Sequence, residues 1–296
     1  MDSGNIGFVL LCAAFVFVMT PGLAMFYGGL VRKKNVVNTM MTSIFIIGVG
    51  IVMWVLFGYS LSFAPSGNAF IGDFRWLGLE GVSLTEGYTD DASIPNMVFS
   101  AFQMMFAVIT PALITGAVAG RMKFKSIFVF TIFWSLIVYY PLAHMVWGQG
   151  GLLGADGIGA LDFAGGDVVH ISSGVSALVL CILLGKRHDY EHSIYRIHNI
   201  PTVVLGASLL MFGWFGFNAG SALAADGLAA HAFMTTGVSA AAAMLSWMLC
   251  DVIKNKKPTL IGASTGMVAG LVGITPGAGF VPMWAAVIIG WTTTPV

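Results

Sequence analysis

Long apolar stretches recur along this chain with almost no charge inside them. They run from Ile6 to Leu30, Val37 to Phe63, Ile94 to Gly120, Ile127 to Trp147 and Val168 to Leu184, then from Pro201 to Phe217, Ala229 to Ile253, Leu260 to Ile274 and Phe280 to Trp291. A helix crossing a bilayer needs about 20 largely apolar residues, so these read as nine spans, the last two short. Charged residues make up 9% of the 296, against roughly a quarter in a soluble domain. In water such a chain would expose apolar patches well beyond what a monomer tolerates. No alternating pattern of about ten residues repeats, which disfavours a transmembrane barrel. The sequence therefore predicts an all-α, polytopic transmembrane helix bundle. A net charge of +0 points to no nucleic-acid partner.

The few charges fix the topology. Arg32, Lys33 and Lys34 follow the first span; Arg121, Lys123 and Lys125 the third; Lys186, Arg187 and Arg196 the fifth; Lys254, Lys256 and Lys257 the seventh. Among the 13 basic residues only Arg75 falls on the other side, beside Asp73, Glu80, Glu86, Asp90 and Asp91 in the longest connection. Basic loops stay in the cytoplasm, so the amino terminus is expected outside, with the chain multi-pass in the cell membrane. The first apolar run is too long for a signal-peptide core and no basic leader precedes it, so it reads as a retained helix. Cys12, Cys181 and Cys250 sit in apolar stretches without CxxC spacing and are expected to be buried free thiols.

Pro21 and Pro111 fall inside the first and third spans, where the carbonyls they free need protein or a cavity to satisfy them. Gly262, Gly266 and Gly270 recur at every fourth position of the eighth span, a smooth stripe for close helix packing. Glycines at 148, 150 and 151 lack the strand and spacing of a nucleotide loop. No metal cluster, nucleophile elbow or carboxylate pair shares a span, so neither an enzyme, a metal site nor a cofactor is expected.

Ionisable groups within a span are costly and tend to face a cavity or pathway. Asp162, Asp167 and His170 open the fifth span in Leu161-Asp162-Phe163-Ala164-Gly165-Gly166-Asp167-Val168-Val169-His170. On an α-helix His170 shares its face with Gly166 and Gly174, leaving room beside the imidazole. In hydrocarbon this favours function over a satisfied core histidine, since imidazole passes protons near neutral pH. Asp162 precedes the span, where a carboxylate can cap a helix or attract a cation. His144 and Trp147 end the fourth span, Phe102 and Phe106 lie in the third, and Phe217 and Ser221 close the sixth. Taken singly, aromatic residues in apolar spans are usually packing.

Together these segments carry a resemblance. The Asp162 to His170 sequence resembles the signature of the ammonium transporter, methylammonium permease and Rhesus protein family. Phe26-Tyr27-Gly28-Gly29-Leu30, the His144 to Gly148 segment and the Gly213 to Ala222 segment match in order over essentially the whole chain. The resemblance implies an inverted-repeat, all-helical homotrimer with one pore per subunit. It places an outer vestibule for ammonium, or its analogue methylammonium, at Trp147, Ser221 and Phe106, a gate of stacked rings at Phe106 and Phe217, and a pore-lining, proton-relaying histidine at His170. Ammonium would be recruited there, deprotonated, and passed as ammonia through a dry pore, with a cytoplasmic regulatory protein as a further partner. An ammonium sensor signalling through an appended cytoplasmic domain is the alternative. The resemblance departs in two places. About nine spans of an expected eleven are present, so residues 1 to 296 read as one carboxy-terminally incomplete membrane domain, ending at Val296 before the second pore histidine. Asp167 stands where a neutral residue is expected, at the positive end of the helix dipole.

Overall fold

The structure, a computed structural model, describes all residues except 66, 156, 188–189, 191–194 and 295–296. The carboxy-terminal end singled out by the sequence lies outside the described residues. The described residues form helices and loops without a strand. Eight helices are long and apolar enough to cross a membrane: α1 Ser3–Leu30, α2 Lys33–Phe63, α3 Asn96–Val118, α4 Phe124–Trp147, α5 Gly166–Leu184, α6 Ile200–Gly220, α7 Gly227–Asn255 and α8 Leu260–Gly277. A shorter one follows, α9 Met283–Thr292. Helix is the form this composition dictates, because hydrocarbon offers backbone N–H and C=O groups no partners outside the segment. Side chains start several helices. Asp2 accepts from Asn5 N, Asn199 from Thr202 N, Asp226 from Ala229 N and Thr259 from Gly262 N, each satisfying an amide that the first turn leaves open.

The loops gather at two ends. At one, Asp2 N donates to Ser93 O, Ala225 N to the Asn5 side chain, Gln149 N to the Tyr88 hydroxyl, and Phe163 N to Pro276 O. At the other, Arg121 donates to Gly185 O, the Tyr195 hydroxyl to Leu30 O, and His198 N to Val31 O. The basic loops fall at this second end, and Arg75, ion-paired with Asp73 at 2.7 Å, belongs to the loops of the first. Helix α1 starts at the acidic end and α6 at the basic end, where Asn199 N bonds Gly29 O. The second run of helices thus begins from the opposite side, as an inverted arrangement requires.

Two glycine seams hold the bundle. Along α1 and α6 the backbones nearly touch: a Cβ on Gly206 would stand 2.6 Å from Gly22 O. The stripe read from the sequence forms the other seam, with Gly266 and Gly270 of α8 lying on α7; a Cβ on Gly270 would come 2.5 Å from Ser239 O. Small residues let helices approach where lipid gives no hydrophobic push between them.

Three features differ from the sequence reading. Pro21 and Pro111 lie inside continuous helices. The interruptions are instead π-helical turns at Trp54–Gly58, Ser135–Tyr139 and Gly166–Ile171, which hydrophobic periodicity does not reveal. The first two lie close together, since Trp54 packs against Tyr140, the residue after the second turn, with ring centroids 6.1 Å apart. The three cysteines are free, but only Cys12 is buried, Cys181 and Cys250 being half-exposed on the isolated chain.

Candidate functional site

A cavity of about 410 Å³ opens at the acidic end. Helix α3 supplies Phe99, Gln103 and Phe106, the end of α4 supplies Trp147, and the turns beyond α6 and before α5 supply Ser221, Asp162 and Phe163. The loop from Tyr88 to Ile94 forms its rim. Trp147 is set by its indole N–H, which donates to Asp162 O at 3.1 Å, and stands edge-on to Phe106 with centroids 6.0 Å apart. Ser221 donates its hydroxyl proton to Phe217 O at 2.8 Å. Its oxygen keeps acceptor capacity for a donor arriving in the cavity.

Beneath the cavity the rings close up. Phe106 and Phe217 are both buried, 4.3 Å apart between centroids and inclined by 35°. His170 lies on the far side of Phe217, 5.9 Å away and nearly parallel at 21°, and stacks at 5.2 Å on Trp214. Trp214 is held by its N–H to Thr275 Oγ1 at 2.9 Å. Phe106, Phe217 and His170 form one column from the cavity floor inward, and Trp214 closes it from the side, against both Phe217 at 5.5 Å and His170. Nε2 of His170 is buried without a hydrogen-bond partner, an orphaned polar atom in the bundle interior whose cost a ligand or water would relieve.

The start of α5 explains how His170 is aimed. Asp162 Oδ1 accepts from Gly165 N and Gly166 N, and Oδ2 from Asp167 N and Val168 N, all within 3.1 Å. One carboxylate thus satisfies the amides that a helix start leaves without partners. The chain reaches it through Gly165 at φ 118°, a conformation that side chains with a Cβ avoid. His170 N bonds Gly165 O, five residues back, so this turn is π-helical and the face predicted for an α-helix is shifted. Gly166 does not open space beside the imidazole; a Cβ there would come 2.7 Å from Pro276 Cγ. Beyond Gly174 there is open space.

Sequence reasoning passed over some of the lining. Gln103 lies one turn before Phe106 on α3, and as the one long polar side chain in that span it could have been found. Tyr88 and Asp91 come from the long loop, whose path periodicity cannot give. Tyr88 stacks on Phe99 at 4.8 Å, and burial pushes its hydroxyl up to about 12, so it stays neutral at the pH of ordinary media. His144 is fully buried, its two ring nitrogens 3.1 Å from Ser62 O and 2.8 Å from Asn68 O. It ties the end of α4 to the end of α2 and the loop that leaves it. Among the described residues no three His, Cys, Asp or Glu side chains gather as a metal would need.

Fold and cavity define a polytopic helical membrane protein with an aromatic column running inward from one mouth. A model of the Ammonium Transporter Family matches residues 7–296. An ammonium transporter of Bacillus subtilis is 53% identical over 98% of this chain and 70% of its own length. One of Mycobacterium tuberculosis is 45% identical over 98% of this chain and 65% of its own. The crystal structure of Saccharomyces cerevisiae Mep2 superposes with a TM-score of 0.90 at 39% identity, covering 99% of this chain and 65% of that one. The chain belongs to the ammonium transporter family. It spans 65% to 70% of the length of these relatives.

Proposed function

We propose that this protein carries ammonium across the cell membrane by stripping its proton and passing ammonia along the ring column. The observation that carries the reading is the Phe106–Phe217 pair, 4.3 Å apart, standing between a polar cavity and the unpartnered Nε2 of His170. In the cavity the faces of Trp147 and Phe106 attract a cation by about 0.5 to 2 kcal/mol. Ser221 accepts one of its N–H bonds, a bond that potassium has no proton to make. Asp162, already engaged by backbone amides, adds negative charge at the mouth. Past the rings, an unsolvated ion meets a Born cost on the order of tens of kcal/mol. Ammonia avoids that cost, and in this reading His170 bonds it and relays the released proton.

The acidic end is the outer one in this reading, with the amino terminus outside, the basic loops in the cytoplasm and the subunit within a homotrimer. The test is methylammonium uptake by the full protein with Phe217→Ala or Trp147→Leu, normalised to membrane abundance. Changed flux or changed competition by potassium is expected from both, and unchanged transport from both would remove the site assignment. Single cysteines placed in the Asp73 and Lys186 loops check orientation, an impermeant reagent labelling the former alone on intact cells.

A further inference from the structure

Gln103 sits among the aromatic lining of the cavity, on α3 one turn from Phe106. Its side chain is 9% exposed, and its carboxamide oxygen is buried with no hydrogen-bond partner. Leaving a buried acceptor unpaired is unfavourable, and a leucine or methionine would fill the same volume in an apolar wall without that penalty. The residues beside it do not relieve the oxygen. The indole N–H of Trp147 is committed to Asp162 O, and the Ser221 hydroxyl proton to Phe217 O. Both of these lining donors are thus committed elsewhere, and Gln103 and Ser221, which both line the cavity, carry oxygens with acceptor capacity unused. The terminal torsion of a glutamine is broad and two-fold, so its oxygen can follow a donor entering the cavity.

We propose that Gln103 is a specificity-determining residue, its carboxamide oxygen accepting a second N–H of the cation while Ser221 accepts the first. This rests on the transport reading above. Two acceptors at a tetrahedral cation select for its N–H bonds, where the ring faces select only for charge. An alkali cation of similar size gains from the rings but cannot donate to either oxygen. Each methyl group added to the nitrogen removes one donor, so dimethylammonium retains only enough to satisfy both acceptors in a single orientation.

The experiment measures uptake of labelled methylammonium by the full protein and its competition by unlabelled ammonium, for the wild type, Gln103→Met and Gln103→Glu, with Trp147→Leu alongside. Methionine keeps the volume and loses the acceptor; glutamate keeps the oxygen. Charge-assisted hydrogen bonds are the stronger kind, so Gln103→Met is expected to raise the half-saturating ammonium concentration about tenfold. Its maximal rate per molecule in the membrane should stay within about twofold, and Gln103→Glu should keep half-saturation at or below the wild-type value. A methionine variant with wild-type half-saturation, or one losing maximal rate alone, overturns the proposal. If the methionine variant fails to reach the membrane, the glutamate variant decides: raised half-saturation overturns the role and wild-type or tighter half-saturation supports it. Trp147→Leu separates the two readings. If it shifts half-saturation while Gln103→Met does not, only the Gln103 role falls; if it changes nothing, the cavity assignment falls with it.

Discussion

The α1–α6 seam and the ring column solve opposite problems in one bundle. At the seam the side chains are reduced to hydrogen, so that backbone meets backbone and no space remains. In the column the side chains are the largest available, Phe106, Phe217 and Trp214 with His170, and flat faces set a few ångströms apart are separable by small rotations. Close backbone contact can only be held or broken. A substitution at the seam should therefore register in stability, and one in the column or the cavity above it in transport.

The largest effect is expected from Gly206→Ala. Its Cβ would press on the backbone of α1, which has no flexible end to move aside, and overpacking of this kind costs up to about 3 kcal/mol. Thermal unfolding in detergent should fall steeply, and a melting point equal to wild type would break the comparison at its first term. A matched pair of tryptophans sharpens it. Trp54 is 1% exposed, with its N–H on Ser100, so Trp54→Leu should cost about 2 kcal/mol of stability and leave ammonium competition unchanged among molecules that fold. Trp147→Leu should do the reverse, weakening competition by up to about thirtyfold, the cation–π contribution expressed as affinity, at near-normal stability. Equal behaviour of the pair in both assays would dissolve the distinction.

Asp162→Asn tests a residue that belongs to both regions. It lines the cavity and also holds four backbone amides; the amide replacement keeps one acceptor oxygen, and a loss of about 1 to 2 kcal/mol is expected from the weakened helix start. The smallest effect belongs to Asp73, which lies in the connection between α2 and α3 and lines neither the seam nor the cavity. Its hydrogen bond with Arg75 holds the carboxyl below the usual range. A depressed folded-state value makes the pair stabilising above the unfolded carboxylate range, and that stability fades as pH falls through the lower folded value. Both groups are open to solvent, and screening leaves such pairs little weight; Asp73→Asn should shift neither the melting point nor its pH profile measurably.

How much of this was legible beforehand follows from what periodicity records. The number of spans and the gathering of the basic loops at one end were legible because apolar length and a handful of charges decide them, as the meeting of Arg121, Gly185 and Tyr195 at that end illustrates. The Gly262 to Gly270 stripe was legible because its spacing is regular. The α1–α6 seam was not, since Gly206, Gly213, Gly216 and Gly220 follow mixed intervals and face a helix far away in the chain. In the site, Phe106, Trp147, Ser221 and Phe217 were brought forward by resemblance, their residue types alone reading as packing. Gln103 went unread because a single amide in a span looks like a tolerated polar residue until its missing partner is seen. Tyr88 and Asp91 enter the cavity from a loop, whose course depends on contacts such as Gln149 with Tyr88 that no local pattern encodes.

The π-helical turn at Gly166–Ile171 makes the chain sensitive to counting. A π turn is an α-helix carrying one surplus residue, so removing a single residue between Gly166 and His170 would let the turn relax to α geometry without unwinding it. Each residue of an α-helix turns the chain by about 100°. In an uninterrupted helix a one-residue deletion would rotate one flank by that angle against the other, but here the surplus residue itself is lost, so both flanks keep their facing and only the residues inside the turn are re-aimed. The imidazole, inside the turn, would shift against Phe217 while length, charge and hydrophobicity stayed almost the same. A change invisible to composition would be among the most severe for this molecule, because at this point alignment depends on how many residues the turn contains.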